Sequence, residues 1–143
     1  MTTEEIIDET IEFYKNNPRS IIGKQTKNDA CLYISEETKC AVGRCLTKDT
    51  LKKIEKNLTA LNRVSIQTLL DRINIDTHDE IFKEEYRGHP FNFWLDLQMF
   101  HDRKVNWEKS STGNILSKEG EKTSAFLKQK WSKEKKNQKK KTK

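Results

Sequence analysis

The chain lacks what a membrane-spanning or exported protein needs. No run of 18 apolar residues occurs in its 143 residues, so no hydrophobic membrane span is expected. The opening MTTEEIIDET is acidic and has no apolar stretch, so no signal peptide is expected. Cysteine is scarce and odd in number: Cys31, Cys40 and Cys45. Without an export signal this favours free thiols in a reducing, cytoplasmic setting over disulfides. Asn57-Leu58-Thr59 fits a glycosylation acceptor, but nothing routes it to the secretory path. No phosphate-binding loop is present, because Gly43-Arg44 offers a single glycine. No internal repeat is visible. Apolar residues are few at 33%, against 35% charged. That balance suits one compact core with a disordered segment attached.

Charge is present in quantity and is segregated. Residues 118–143 carry a net +8, and the remaining 117 residues carry −2. The reading is therefore a globular α+β domain over residues 1–117, followed by a basic C-terminal helix and disordered lysine-rich tail over 118–143. Lys128, Lys130, Lys133, Lys135, Lys136, Lys139, Lys140 and Lys141 are the candidate anion-binding residues of that tail. Such a segment attracts nucleic acid or an anionic membrane by counterion release. Lysine is a point charge, so the expected binding is salt-sensitive and without sequence preference. A purely solubilising tail is the alternative.

Helix signals recur along the body. Thr2 and Glu5 form a capping box before Ile6, Ile7, Ile11, Phe13 and Tyr14, predicting a helix of about 13 residues. Thr47 caps a second helix, TKDTLKKIEKNL, with Leu51, Ile54 and Leu58 as its buried stripe. A short helix is expected from Ser65 to about Ile73. Thr77 and Glu80 repeat the capping box, predicting a helix through Ile81, Phe82 and Tyr86 that ends at Gly88. Two short apolar runs, Cys31–Ile34 and Lys39–Val42, flank the polar Ser35–Thr38 and predict a β-hairpin. Lys104–Gly120 has loop composition. Glu121 to about Lys135 has helical propensity, with Phe126, Leu127 and Trp131 as anchors.

The densest apolar stretch is PFNFWLDLQMFHDR, Pro90–Arg103. At 100° per residue, Asn92, Asp96 and Arg103 share one stripe assigned to water. Every other direction is apolar, so this helix should be mostly buried. Gln98, His101 and Asp102 fall inside the apolar arc, and their spacing lets Gln98 reach both of the others. A buried polar group without a partner costs about 1–3 kcal/mol, so each must bond something. A satisfied structural cluster and a binding pocket both meet that demand. Cys31, Cys40 and Cys45 with His101 or His89 would make a zinc set, but the spacings lack a two-residue knuckle. Cys31 or Cys40 with His101 has the parts of a Cys–His nucleophile, although neighbouring His101 and Asp102 should point about 100° apart. No catalytic residue, metal ligand or cofactor is assigned on these grounds. The turn at Gly43-Arg44, leading into the helix capped by Thr47, offers N–H groups to an anion or is an ordinary connection.

Taken together, Cys31-Leu32-Tyr33, Lys39-Cys40-Ala41-Val42-Gly43 and Leu97-Gln98-x-x-His101-Asp102 resemble the motifs of a group of small proteins from tailed phages and prophages. That group pairs a Cys-x-aromatic strand and a CAVG-type strand with a later Leu-Gln-x-x-His-Asp helix. The resemblance covers about residues 19–103 and leaves out the lysine tail. Arg44-Cys45 after CAVG departs from the pattern. The resemblance implies a viral origin, hence a host-cell cytoplasm, and carries no mechanism. It marks Cys31, Tyr33, Cys40, Gln98, His101 and Asp102, which with Arg44 form the pocket candidates.

The expectation is a mainly helical α+β domain with one β-hairpin packed on a central buried helix. The expected role is a non-enzymatic phage accessory protein that binds a host protein or nucleic acid. The alternative is a nucleotide-signal sponge that counters host defence, using Gln98, His101 and Asp102 beside Arg44 or Arg19. A zinc or cysteine-dependent protein ranks third.

Overall fold

In the computed structural model, residues 1–19, 33–34 and 39–141 are described, with side chains described through Ser132. The fold is mainly helical, with a single two-stranded antiparallel hairpin among the described residues. Helices α1 (Thr3–Tyr14), α2 (Lys48–Lys56), α3 (Leu58–Leu61), α4 (Ile66–Arg72), α5 (Phe91–Asp102) and α6 (Lys118–Lys141) surround a core centred on Trp94. Strands β1 (Trp107–Lys109) and β2 (Asn114–Leu116) pair with Trp107 opposite Leu116. No described helix is long and apolar enough to cross a membrane.

Local chemistry sets the helix starts. The Thr2 hydroxyl accepts from the Glu5 N–H at 3.1 Å, and the Glu5 carboxylate accepts from the Thr2 N–H at 3.0 Å, completing the capping box of α1. Thr47 and Ser65 cap α2 and α4 in the same manner, and Ser117 accepts from the Gly120 N–H at 3.0 Å to start α6. The predicted helix from Thr47 to Leu58 divides at Asn57, where φ is −146°, and Leu58 turns outward. Gly88 has φ +94°, a value that favours glycine, and Pro90 is the N-cap of α5.

Two expectations are corrected. The predicted helix over residues 77–87 is two 3₁₀ turns, His78–Ile81 and Glu84–Tyr86, and Thr77 makes no capping bond. Tertiary contacts outweigh propensity there. Phe82 is extended, bridges Leu46, and stacks on Trp94 with ring centroids 3.9 Å apart. The second correction concerns the hairpin's location. Cys31 and Leu32 lie outside the described residues. Ile34 and Lys39 form a single antiparallel bridge, and Lys39–Val42 then turns into the 3₁₀ segment Gly43–Cys45. Side chains replace a strand ladder: Asn62 exchanges bonds with Ile34 N–H and C=O at 2.9 and 2.8 Å, and Gln98 accepts from the Val42 N–H at 3.2 Å. The hairpin instead lies in the stretch expected to be loop, where β1 and β2 meet beside the end of α5. There the Trp107 indole donates to the Phe100 carbonyl at 3.3 Å. The backbone of the C-terminal segment is helical from Lys118 to Lys141; lysine and glutamine are good helix formers, and no glycine or proline interrupts them after Gly120.

α6 is seated against the body. Leu127 and Trp131 are buried, and Asp96 of α5 accepts from Lys130 at 2.7 Å and from the Trp131 indole at 3.1 Å. Lys128 pairs with Asp8 of α1 at 2.5 Å. Asp96, assigned to water from its helical position, is thus covered by α6. Leu95 and Met99, expected in the buried arc, are 37% and 57% exposed, and Phe126, expected as an anchor, is 63% exposed. Helical periodicity locates a side chain's direction but not which neighbour covers it.

Candidate functional site

Three groupings collect the residues singled out above. The first is at the end of α5. His101 is completely buried beside Tyr14, with ring centroids 4.8 Å apart. Its Nδ1–H donates to Asp102 at 2.8 Å. Adjacent residues on a helix are expected to point about 100° apart, yet in the last turn the Asp102 carboxylate reaches the ring nitrogen of His101. Gln98 donates to the same carboxylate at 3.4 Å while its own carbonyl holds Val42. The Arg19 guanidinium donates to the His101 carbonyl at 2.6 Å and lies 5.9 Å from the Trp107 ring centroid.

Burial pushes the His101 imidazole down and outweighs Asp102, which favours the charged form. The ring is therefore neutral with its proton on Nδ1. Its Nε2 is buried and has no hydrogen-bond partner among the described residues. Burial likewise lowers Arg19 below the ordinary arginine value, against the pull of Asp102. The cluster thus joins α5 to the Val42 turn and to Arg19.

Tyr33 and Cys40 make backbone-directed contacts of their own. The Tyr33 hydroxyl donates to the Val64 carbonyl at 2.7 Å, and Cys40 Sγ accepts from the Gly43 N–H at 3.2 Å. Cys31 lies outside the described residues. Cys45 is fully buried, its thiol donates to the Ala41 carbonyl at 3.4 Å, and burial pushes its pKa up to about 12. It stays a thiol at neutral pH and is a poor nucleophile. Among the described residues, no group of three His, Cys, Asp or Glu side chains is placed to hold a metal.

The second grouping was not legible in the sequence. Arg44 stands apart from Gln98 and His101 in its polar contacts. Its guanidinium reaches Glu9 and Thr10 of α1 and the Tyr86 hydroxyl, with 3.0 Å to Thr10 and 3.2 Å to Tyr86. Tyr86 also donates to Glu9. The rings of Phe13 and Tyr86 lie 5.5 and 5.7 Å from the guanidinium carbon. Burial pushes the Glu9 carboxyl up, but bonds from Tyr86 and Arg44 outweigh it and hold the carboxyl below its usual value. An open pocket of about 420 Å³ adjoins this network, with Glu12, Asn16 and Lys83 on its wall. The Arg44 side chain is only 10% exposed and is committed to Glu9, Thr10 and Tyr86, while Lys83 is a second cation on the pocket wall. The contributors lie far apart in sequence and share no local pattern. An arginine wedged between Gly43 and Cys45 was the one available signal.

The third grouping is α6. Lys128 and Lys130 hold the helix to the body, whereas Lys133, Lys135, Lys136, Lys139, Lys140 and Lys141 contribute their backbone to its last turns. Beside it, between α5 and α6, runs a groove of about 420 Å³ with Met99 and Phe126 on its walls. Two kinds of feature result: a sealed polar cluster around His101, and a basic helix with apolar groups on its first half. No family model, curated protein or solved structure matches the chain.

Proposed function

We propose that this chain is a non-enzymatic accessory protein of a tailed phage that attaches to nucleic acid through α6. The viral origin rests on the Cys-Leu-Tyr, CAVG and LQxxHD motifs. The observation that carries the binding role is charge segregation along one helix. The segment beginning at Lys118 bears +8, its first half is pinned by Leu127 and Trp131, and seven lysines follow Trp131 with no apolar residue among them. A polyanion gains from such a helix chiefly by releasing its own counterions. A binding role rather than catalysis is supported by the sealed imidazole of His101 and the raised thiol of Cys45.

The test is DNA affinity as a function of salt, for the full chain and for a chain ending at Ser132. Trp131 and Leu127 belong to the core, so a cut at residue 118 would confound binding with unfolding. A cut after Ser132 removes seven lysines and spares both anchors. The full chain is expected to bind duplex DNA with a log–log salt slope of up to about −6, set by those lysines. The shortened chain should lose most of the affinity and of the slope. Equal affinity for the two chains would remove α6 from the function.

A second reading is the small-molecule pocket beside Arg44. It is favoured by the open volume and by Lys83 on its wall, but the arginine it would need is already engaged by Glu9 and Tyr86. Native mass spectrometry of protein recovered from host cells would reveal a retained ligand; a bare polypeptide mass would count against this reading.

A further inference from the structure

We infer that the groove between α5 and α6 holds single-stranded nucleic acid, with an unpaired base stacked on Phe126. The inference rests on the nucleic-acid reading of α6 and adds the strand type and the contact residue. Phe126 is 63% exposed, although a phenylalanine on a helix that packs against a body is ordinarily turned inward. The face that anchors α6 is supplied by Leu127 and Trp131, which frees Phe126 from any anchoring duty. Lys122, Phe126 and Lys130 recur at i, i+4 and i+8 and so share one strip of the helix. Arg103 and Lys122 stand on the groove with no ion-pair partner among the described residues. Of the two carboxylates on the groove, Asp96 is engaged by Lys130 and Trp131, which leaves Glu119. Met99, 57% exposed, widens the apolar floor beside the ring.

An aromatic face flanked by cations matches what single strands require: a π surface for the base and positive charge along the phosphates. A duplex keeps its base faces stacked inside and can use only the charge. A second copy of this chain is a poor occupant, because it would bring one +8 segment against another. An apolar partner helix would bury Arg103 and Lys122 without pairing them.

The test is fluorescence anisotropy at low salt, with labelled oligothymidylate and a labelled duplex of equal length as probes. The proteins are the full chain, Phe126→Ala, Phe126→Leu and the chain ending at Ser132. The ring is largely in solvent, so both substitutions are expected to leave thermal melting unchanged. Phe126→Ala should weaken oligothymidylate binding roughly five- to a hundredfold and leave duplex binding unaltered. Phe126→Leu should lose as much, because stacking needs the ring. Oligothymidylate binding unchanged in Phe126→Ala but abolished by the shortened chain would overturn the stacking site and leave the charge-based function standing. Full retention by Phe126→Leu would assign the groove to a plain apolar contact and also overturn the proposal. If neither probe binds the full chain, the nucleic-acid function falls with it.

Discussion

His101 shows how burial converts a titratable side chain into a pH-dependent strut. In the fold it is neutral and tied to Asp102; in the unfolded chain it takes a proton near 6.5. Between that value and its lower folded value, the unfolded chain binds more protons. Stability from this group is therefore complete above pH ~6.5 and declines as the pH falls through the window below it. The slope for one proton approaches about 1.4 kcal/mol per pH unit. Urea midpoints measured from pH ~7.5 down to ~5.5 should fall in the native chain, and His101→Gln should flatten that decline. A decline of equal steepness in the variant would assign the titration to another group. Glu9 has the same sign but a lower window: its folded value lies below the ordinary 4.5, so its share is kept above that value and lost only in stronger acid. The two residues can thus be told apart by pH alone.

At the scale of elements, α6 depends on a close approach at its first turn. A Cβ at Gly120 would collide with the Asn106 carbonyl of the 104–106 turn. Asn106 is itself fixed, accepting from Ser117 N–H at 3.0 Å and donating to the Phe100 carbonyl at 3.0 Å. Alanine is the better helix former by about 1 kcal/mol, yet Gly120→Ala should destabilise by about 1–3 kcal/mol because α6 must shift off its seat. A raised urea midpoint would contradict that. The elements that the sequence made legible are those with local signals. α1, α4 and α5 have caps, periodic apolar residues or a Gly-His-Pro border within their own stretches. Residues 77–87 misled because Phe82 is claimed by Leu46 and Trp94, both remote in sequence. β1 and β2 escaped notice because three residues each, with serines and glycine between them, are too short to show alternation. The candidate site divides the same way. Gln98, His101 and Asp102 were visible because they interrupt one helix's apolar arc. The Arg44–Glu9–Tyr86 network was not, since its members meet only after α1 folds against the 43–45 and 84–86 turns. Phe126 was read as an anchor because spacing alone cannot distinguish it from Leu127.

The molecule as a whole is a faintly acidic body carrying a strongly basic helix, and the join between them is mixed. Trp131 and Leu127 hold by apolar burial, while Lys128–Asp8 and Lys130–Asp96 add partly exposed ion pairs worth at most about 1 kcal/mol each. Removing residues beyond Ser132 should consequently leave the melting temperature within about 2 °C of the full chain, since no apolar side chain is lost. A large drop would mean that the last turns contribute to the core. Those two ion pairs carry a further implication. Asp8 and Asp96 already occupy two ammonium groups that a phosphate chain would also seek. Any polyanion spreading inward from the C-terminus must evict these carboxylates, so its grip on the helix and the helix's grip on the body are rivals. Heavy loading should prise the first half of α6 away from Asp8 and Asp96, leaving Trp131 and Leu127 as the hinge pins.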